Sequence, residues 1–118
     1  MDKYEMQKRL MNLAITVIRL TKGFPISQES KVIAYQIIKS ATSTAANYRA
    51  ACRAKSAKDF IAKMGIVEEE ADETELWLEL VKAINLAREE EVEPLLKEVS
   101  EIIAITVASI KTSRKTLR

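Results

Sequence analysis

FIAKMGIVEEEADETELWLELV, residues 60–81, decides the fold. Within it Phe60, Met64, Val67, Ala71, Thr74, Leu78 and Val81 recur at alternating steps of four and three. That is the period of a helix burying one continuous stripe. Trp77, Leu80 and, just beyond, Ile84 add a second apolar edge. The helix is expected to open at Ser56, an N-cap, with Asp59 three positions on completing a capping-box-like pair. Carried to about Leu86, it makes a rod of roughly 45 Å.

Three further helices are read outward from this one. Helix 2 follows Ser27, with Glu29 in its first turn to meet the dipole, and is expected to reach about Ala54. Its inner face is read as Ile37, Ile38, Ala41, Ala45, Tyr48 and Cys52, and from Ser40 to Ala51 nearly every residue is Ala, Ser or Thr. A neighbouring backbone can therefore come close. Helix 1 spans about residues 3–22 on Met6, Leu10, Leu13, Val17 and Leu20, widened by Met11, Ala14 and Ile18. Gly23 is expected to be a left-handed stop and Pro25 to prevent continuation. Helix 4 begins between Glu89 and Glu93, with Pro94 in its first turn, and buries Leu95, Val99, Ile102, Ile103, Thr106 and Ile110.

Composition agrees. Apolar residues make up 47% of the 118, yet only two Gly and two Pro are present, too few turn residues for a sheet. Short connections between long helices predict an all-α, up-down-up-down antiparallel four-helix bundle, one domain over 1–118. No apolar run approaches the ~20 residues of a membrane span, and no signal-peptide core opens the chain. The lone Cys52 cannot form an intrachain disulfide, so a cytoplasmic protein away from membranes is expected.

The absence of His narrows the chemistry. It removes a Cys–His nucleophile, the Glu-x-x-His ligands of di-iron bundles and the usual general acid–base. Neither a Ser triad nor a Gly-rich phosphate loop is present, so the reading is non-enzymatic, with no cofactor. Glu70 and Glu73 alone make a weak carboxylate metal site.

In an up-down bundle the N-terminus, the turn at Lys55 and the C-terminus share one end. That end gathers Lys3, Lys8, Arg9, Arg49, Arg53, Lys55, Lys58, Lys63, Lys111, Arg114, Lys115 and Arg118 against Asp2, Glu5 and Asp59, a net +9. The other seven bases and fourteen acids give −7, which recovers the chain's +2. A basic pole attracts phosphates without reading sequence. Helix dipoles explain part of the bias, because helices 2 and 4 end there, but not Lys58 and Lys63 at the start of helix 3. With no aromatic residues interleaved among the bases, a sequence-specific single-strand reader is not expected.

Among the acids, Glu68, Asp72, Glu75 and Glu79 share a solvated face, whereas Glu70 and Glu73 line up with Ile66, Trp77 and Leu80. Reflecting helix 2 onto helix 3 sets Lys39 within reach of Glu70 or Glu73. It leaves Arg49 and Arg53 without intrachain acids, so they face solvent, another subunit or a ligand. Trp77 either meets another subunit or packs under a loop within the chain. The candidate interface residues are Trp77, Tyr48, Arg53, Glu70 and Glu73.

The segment Ala46-Asn47-Tyr48-Arg49-Ala50-Ala51-Cys52-Arg53-Ala54-Lys55-Ser56, with Phe60-Ile61-Ala62-Lys63 and Ile66 to Thr74, resembles the four-helix bundle proteins related to the 23S rRNA intervening-sequence proteins. The likeness extends to Thr21-Lys22-Gly23-Phe24-Pro25. It implies an up-down bundle assembling as a ring-like homopentamer. It also brings in accessory proteins of diversity-generating retroelements, which share the fold, bind nucleic acid through basic surfaces and contact a reverse transcriptase. Many members carry Ser-x-Pro-Ala-Asn-x-Ala-Glu-Gly in helix 2. Here Thr44 replaces the Pro and Ala50-Ala51 replace Glu-Gly, which implies a straighter helix.

Two functional expectations result. In the first, an oligomeric bundle contacts RNA or DNA through Arg49, Arg53, Lys55, Lys58, Lys63, Lys111, Arg114, Lys115 and Arg118. In the second, the chain is a protein-interaction or scaffold module whose arginines pair with acids of a neighbouring subunit or a protein partner.

Overall fold

The computed structural model describes residues 1–117. They form four helices and no strand: α1 (Lys3–Lys22), α2 (Gln28–Ala51), α3 (Ala57–Ala83) and α4 (Glu89–Thr116). The particle is a rod of 50 × 21 × 21 Å. Consecutive helices lie against one another along their length, whereas α1 and α4 meet only lightly.

The expected seam of α3 is the core. Met64, Val67, Ala71, Thr74, Leu78 and Val81 are all buried, facing Leu10, Val17, Ile37, Val99 and Ile102. Each such aliphatic side chain contributes ~1.5–3 kcal/mol relative to exposure. Phe60, the first residue of the seam, is only half-buried, packed on the cluster of Ala51, Met64, Val67 and Ile110. On α2 the buried line is Ser30, Ile33, Ile37, Ser40, Ala41, Thr44 and Ala51. Ile38, Ala45, Tyr48 and Cys52, read as inner-face residues, sit at its half-exposed edge.

Five hydroxyls are buried, and each is bonded. Thr74 Oγ1 lies 2.8 Å from Ser40 Oγ and 2.9 Å from the Glu70 carbonyl, joining α3 to α2. Ser40, Thr44 and Thr106 reach carbonyls of their own helices, and Ser30 meets Ser27. Satisfied in this way, small polar residues occupy a core position without the penalty of an orphan donor. Thr44, standing where the resembling family has Pro, leaves α2 unbroken.

Helix ends depart from expectation for identifiable reasons. Gly23 is not left-handed; its φ is −87°, and its N–H closes onto the Leu20 carbonyl while Phe24 closes onto Thr21. Pro25 then ends the helix. Helix α3 stops at Ala83 rather than Leu86 because Asn85 takes φ 58°. The Leu86 N–H reaches the Val81 carbonyl and the Asn85 N–H that of Lys82, a Schellman closure with Leu86 buried. Helix α2 ends at Ala51 rather than Ala54. Cys52 and Arg53 tighten onto Tyr48 and Ala50, and the chain then extends so that Ser56 can cap α3. Pro94 lies beyond the first turn of α4, where its missing N–H leaves the exposed Glu90 carbonyl without its helical donor.

Candidate nucleic-acid interface

The small cluster of Ala51, Met64, Val67 and Ile110 ties the last turn of α2, the first turns of α3 and the C-terminal part of α4 together. The bases flanking those residues therefore share one end. Arg53, Lys55 and Lys58 project from the α2–α3 turn, and Lys111, Arg114 and Lys115 from α4, all exposed. None of the six has an ion-pair partner among the described residues. Arg118 lies outside the described residues.

Lys63 is different. Its Nζ is 2.6 Å from Asp59 Oδ1, and the carboxylate also accepts the Lys55 N–H at 3.1 Å. Bonded first by Lys63 and then by that N–H, Asp59 is held below the usual carboxylate range. Asp59 also closes the cap, its own N–H donating to Ser56 Oγ at 3.1 Å. Lys63 thus belongs to the scaffold of the turn, and the free charge there comes from Lys55 and Lys58.

Arg49, in the last turn of α2, is exposed one turn before Arg53. It lines a groove of about 250 Å³ between α1 and α2 with Met11, Ala14, Thr42, Ala45 and Ala46. Arg9, counted with the basic end from sequence, is withdrawn from it. Its Nε donates to Glu98 Oε2 at 2.9 Å, Nη2 to Glu98 Oε1 at 2.5 Å, and Nη1 to Glu101 at 3.3 Å.

Sequence reasoning missed a second sorting of charge. Residues 1–58, which hold α1 and α2, carry eleven Lys and Arg against three acids, a net +8. Residues 59–118 carry eight against fourteen, a net −6, and the two recover +2. Not one acid occurs from Ser30 to Lys58, nor one base from Met64 to Val81. The polarity runs side to side as well as end to end. An aromatic residue was also missed: Tyr4 is 68% exposed, with the Lys3 ammonium 5.3 Å from its ring centre, so a stacking surface does stand among bases.

Of the interface candidates, Tyr48 is half-buried beside Cys52, and burial first, then that thiol, push its hydroxyl up to about 12. Trp77 packs against the core and is half-buried. Its indole N–H is sealed from solvent with no acceptor among the described residues. Glu70 and Glu73 border a polar pocket of about 70 Å³ with Gln36, Lys39 and Ser40. Lys39 forms no ion pair with either among the described residues. Burial, then the Glu73 charge, raise Glu70, and the Lys39 charge only tempers this. No group of three potential metal ligands occurs among the described residues, and no helix there is long and apolar enough to cross a membrane.

No functionally curated protein matches the chain. A crystal structure of a protein of unknown function from the S23 ribosomal protein family of Bacteroides thetaiotaomicron VPI-5482 has a TM-score of 0.82 and 34% sequence identity to it. That match covers 89% of this chain and 97% of the other. Residues 2–108 match the profile of the 23S rRNA-intervening sequence proteins. With a match over nearly the whole length, the chain belongs to the 23S rRNA-intervening sequence protein family.

Proposed function

We propose that this chain is a non-enzymatic bundle of up-down-up-down topology that assembles with itself and contacts RNA or other nucleic acid through its basic end. The carrying observation is the set of Arg53, Lys55, Lys58, Lys111, Arg114 and Lys115, exposed together and without ion-pair partners among the described residues. Unneutralised charge at this density binds a phosphate backbone by releasing its counterions, and does so without sequence preference. The ring-like homopentamer implied by the family would repeat the patch around an axis, so that weak contacts act together.

A mobility-shift titration of structured RNA and duplex DNA at two salt concentrations tests this. Lys58→Glu and Lys115→Glu are expected to weaken binding evenly across sequences and to flatten the salt dependence. Lys63→Gln, which removes a charge already held by Asp59, is expected to weaken it less. Binding that ignores salt, or that survives both charge reversals, refutes the proposal.

A second reading, a protein-interaction module, rests on Arg49, which lines an apolar groove between α1 and α2 as well as standing near the basic end. There it serves recognition of a protein surface, and Arg49→Ala is expected to change the assembly state without changing nucleic-acid affinity per subunit.

A further inference from the structure

We infer that the exposed face of α1 and α2 holds a single strand of RNA or DNA, whose unpaired bases stack on Tyr4 and Tyr35. The inference rests on the nucleic-acid part of the proposed function and names the state of the strand. Tyr4 is 68% and Tyr35 64% exposed, and neither belongs to a core cluster. A phenol ring left in water contributes little to folding, whereas every base offers it a face to stack on.

Each ring stands among bases. The Lys3 ammonium lies 5.3 Å from the Tyr4 ring centre, and Lys8 follows Tyr4 one turn along α1. On α2, Lys31 and Lys39 stand one turn before and one turn after Tyr35, where side chains are neighbours. Lys3, Lys8 and Lys31 are exposed and have no ion-pair partner among the described residues. The nearest acids in sequence are turned to other tasks or other sides. Asp2 caps α1, accepting the Glu5 N–H at 2.9 Å, and Glu5, next to Tyr4, falls on a different side of the helix. Glu29 borders Trp77 on the α3 side.

The two rings lie on one continuous surface. The start of α1 meets the end of α2, since the Asp2 charge adds to burial and to Cys52 in holding the Tyr48 proton. Tyr4, Lys8 and Met11 follow at steps of four and three along α1, and Met11 shares a groove with Thr42 and Ala46 of α2. Tyr35 lies two turns before Thr42 on the same exposed line. No acid occurs from Met6 to Gln28 or from Ser30 to Lys58, so between the rings a phosphate backbone meets no like charge from either helix. Rings set apart on one face suit a strand whose bases turn outward. In a duplex the bases stack on one another and present only their edges. Charge alone favours the duplex, which carries more phosphates per unit length. Preference for the single strand is therefore the mark of the tyrosines.

Fluorescence anisotropy of an unstructured RNA strand, its DNA counterpart and the blunt duplex, each titrated with the full chain, tests it. Wild type is expected to bind at least one strand more tightly than the duplex, and the tighter strand identifies the source. Tyr4→Ala and Tyr35→Ala should each weaken strand binding roughly fivefold or more and leave duplex binding unchanged. Tyr4→Phe and Tyr35→Phe, which keep the ring, should bind like wild type. A fluorescent adenine analogue in the strand, quenched when stacked, should stay bright with the alanine variants. Lys8→Gln should instead weaken strand and duplex alike. Every substituted position is exposed, so each variant should keep wild-type helicity by circular dichroism. Strands bound no more tightly than the duplex, or alanine variants that bind the strand like wild type, overturn the inference. Salt-dependent duplex binding in that case leaves the basic end, and with it the proposed function, standing. A protein that binds neither strand nor duplex removes both.

Discussion

Replacing Gly65 by Ala should stabilise the monomer, and the structure sets the size of the gain. Gly65 lies eight residues inside α3, far from either end, and is not in the left-handed region. A Cβ built on it meets nothing within 4 Å. The substitution therefore adds no clash and no contact; it restricts the unfolded chain and covers helix backbone, worth about 0.5–1 kcal/mol. For a chain of this length that corresponds to a rise in Tm on the order of 2–6 °C. Urea and thermal unfolding at low protein concentration, followed by circular dichroism, tests this. The midpoint should rise with an unchanged m-value. An unchanged or lowered midpoint would show that the added methyl is not accommodated in open space on α3, and the reasoning would fail.

Three further outcomes can be checked. Pro94→Ala restores the donor to the Glu90 carbonyl inside α4 and should raise stability by about 1–3 kcal/mol; equal unfolding midpoints would refute this. Trp77→Phe removes a sealed, unbonded indole N–H while keeping an aromatic ring, so urea unfolding should shift by less than ~1 kcal/mol, and a loss above ~2 would mean that the N–H is bonded. Tyr48 holds its proton in the folded state up to about 12, whereas the unfolded chain releases it near 10. Stability present below that lower value is lost as pH rises between the two, and Tyr48→Phe should unfold less steeply with pH across that window.

What could be read from the residues follows the physics of each element. The α3 seam was legible because its four-three spacing over three heptads has one meaning, and Ser56 and Asp59 announce where the helix starts. Its end was overrun because Asn85 is a weaker stop than Gly; the signal was Asn followed by an apolar Leu86 that could fold back on the helix. The α2 stop has no Gly or Pro at all, and only the extended backbone that Ser56 needs ends that helix. Gly23 was assigned a left-handed role on residue type, but the stop comes from Pro25.

The candidate site divides in the same way. Counting charge along an assumed up-down path found the bases around Lys55 but misplaced Arg9, because Glu98 and Glu101 lie 89 and 92 residues away and no local pattern ties them together. Counting charge by helix pair instead would have exposed the side-to-side sorting without coordinates, since the acid-free run from Ser30 to Lys58 is plain in the sequence.

The light meeting of α1 with α4 has a consequence for how the protein comes apart. Consecutive helices share three long seams, whereas α1 and α4 meet lightly, with the Arg9 fork on Glu98 and Glu101 between them. Local opening follows the least costly boundary. Amide protons of α1 should therefore exchange with solvent before those of α2 and α3. High salt, which loosens a clasp of charges and leaves the apolar seams untouched, should widen that gap. The Arg9 fork would then act as a latch on the lightest boundary of a four-helix core.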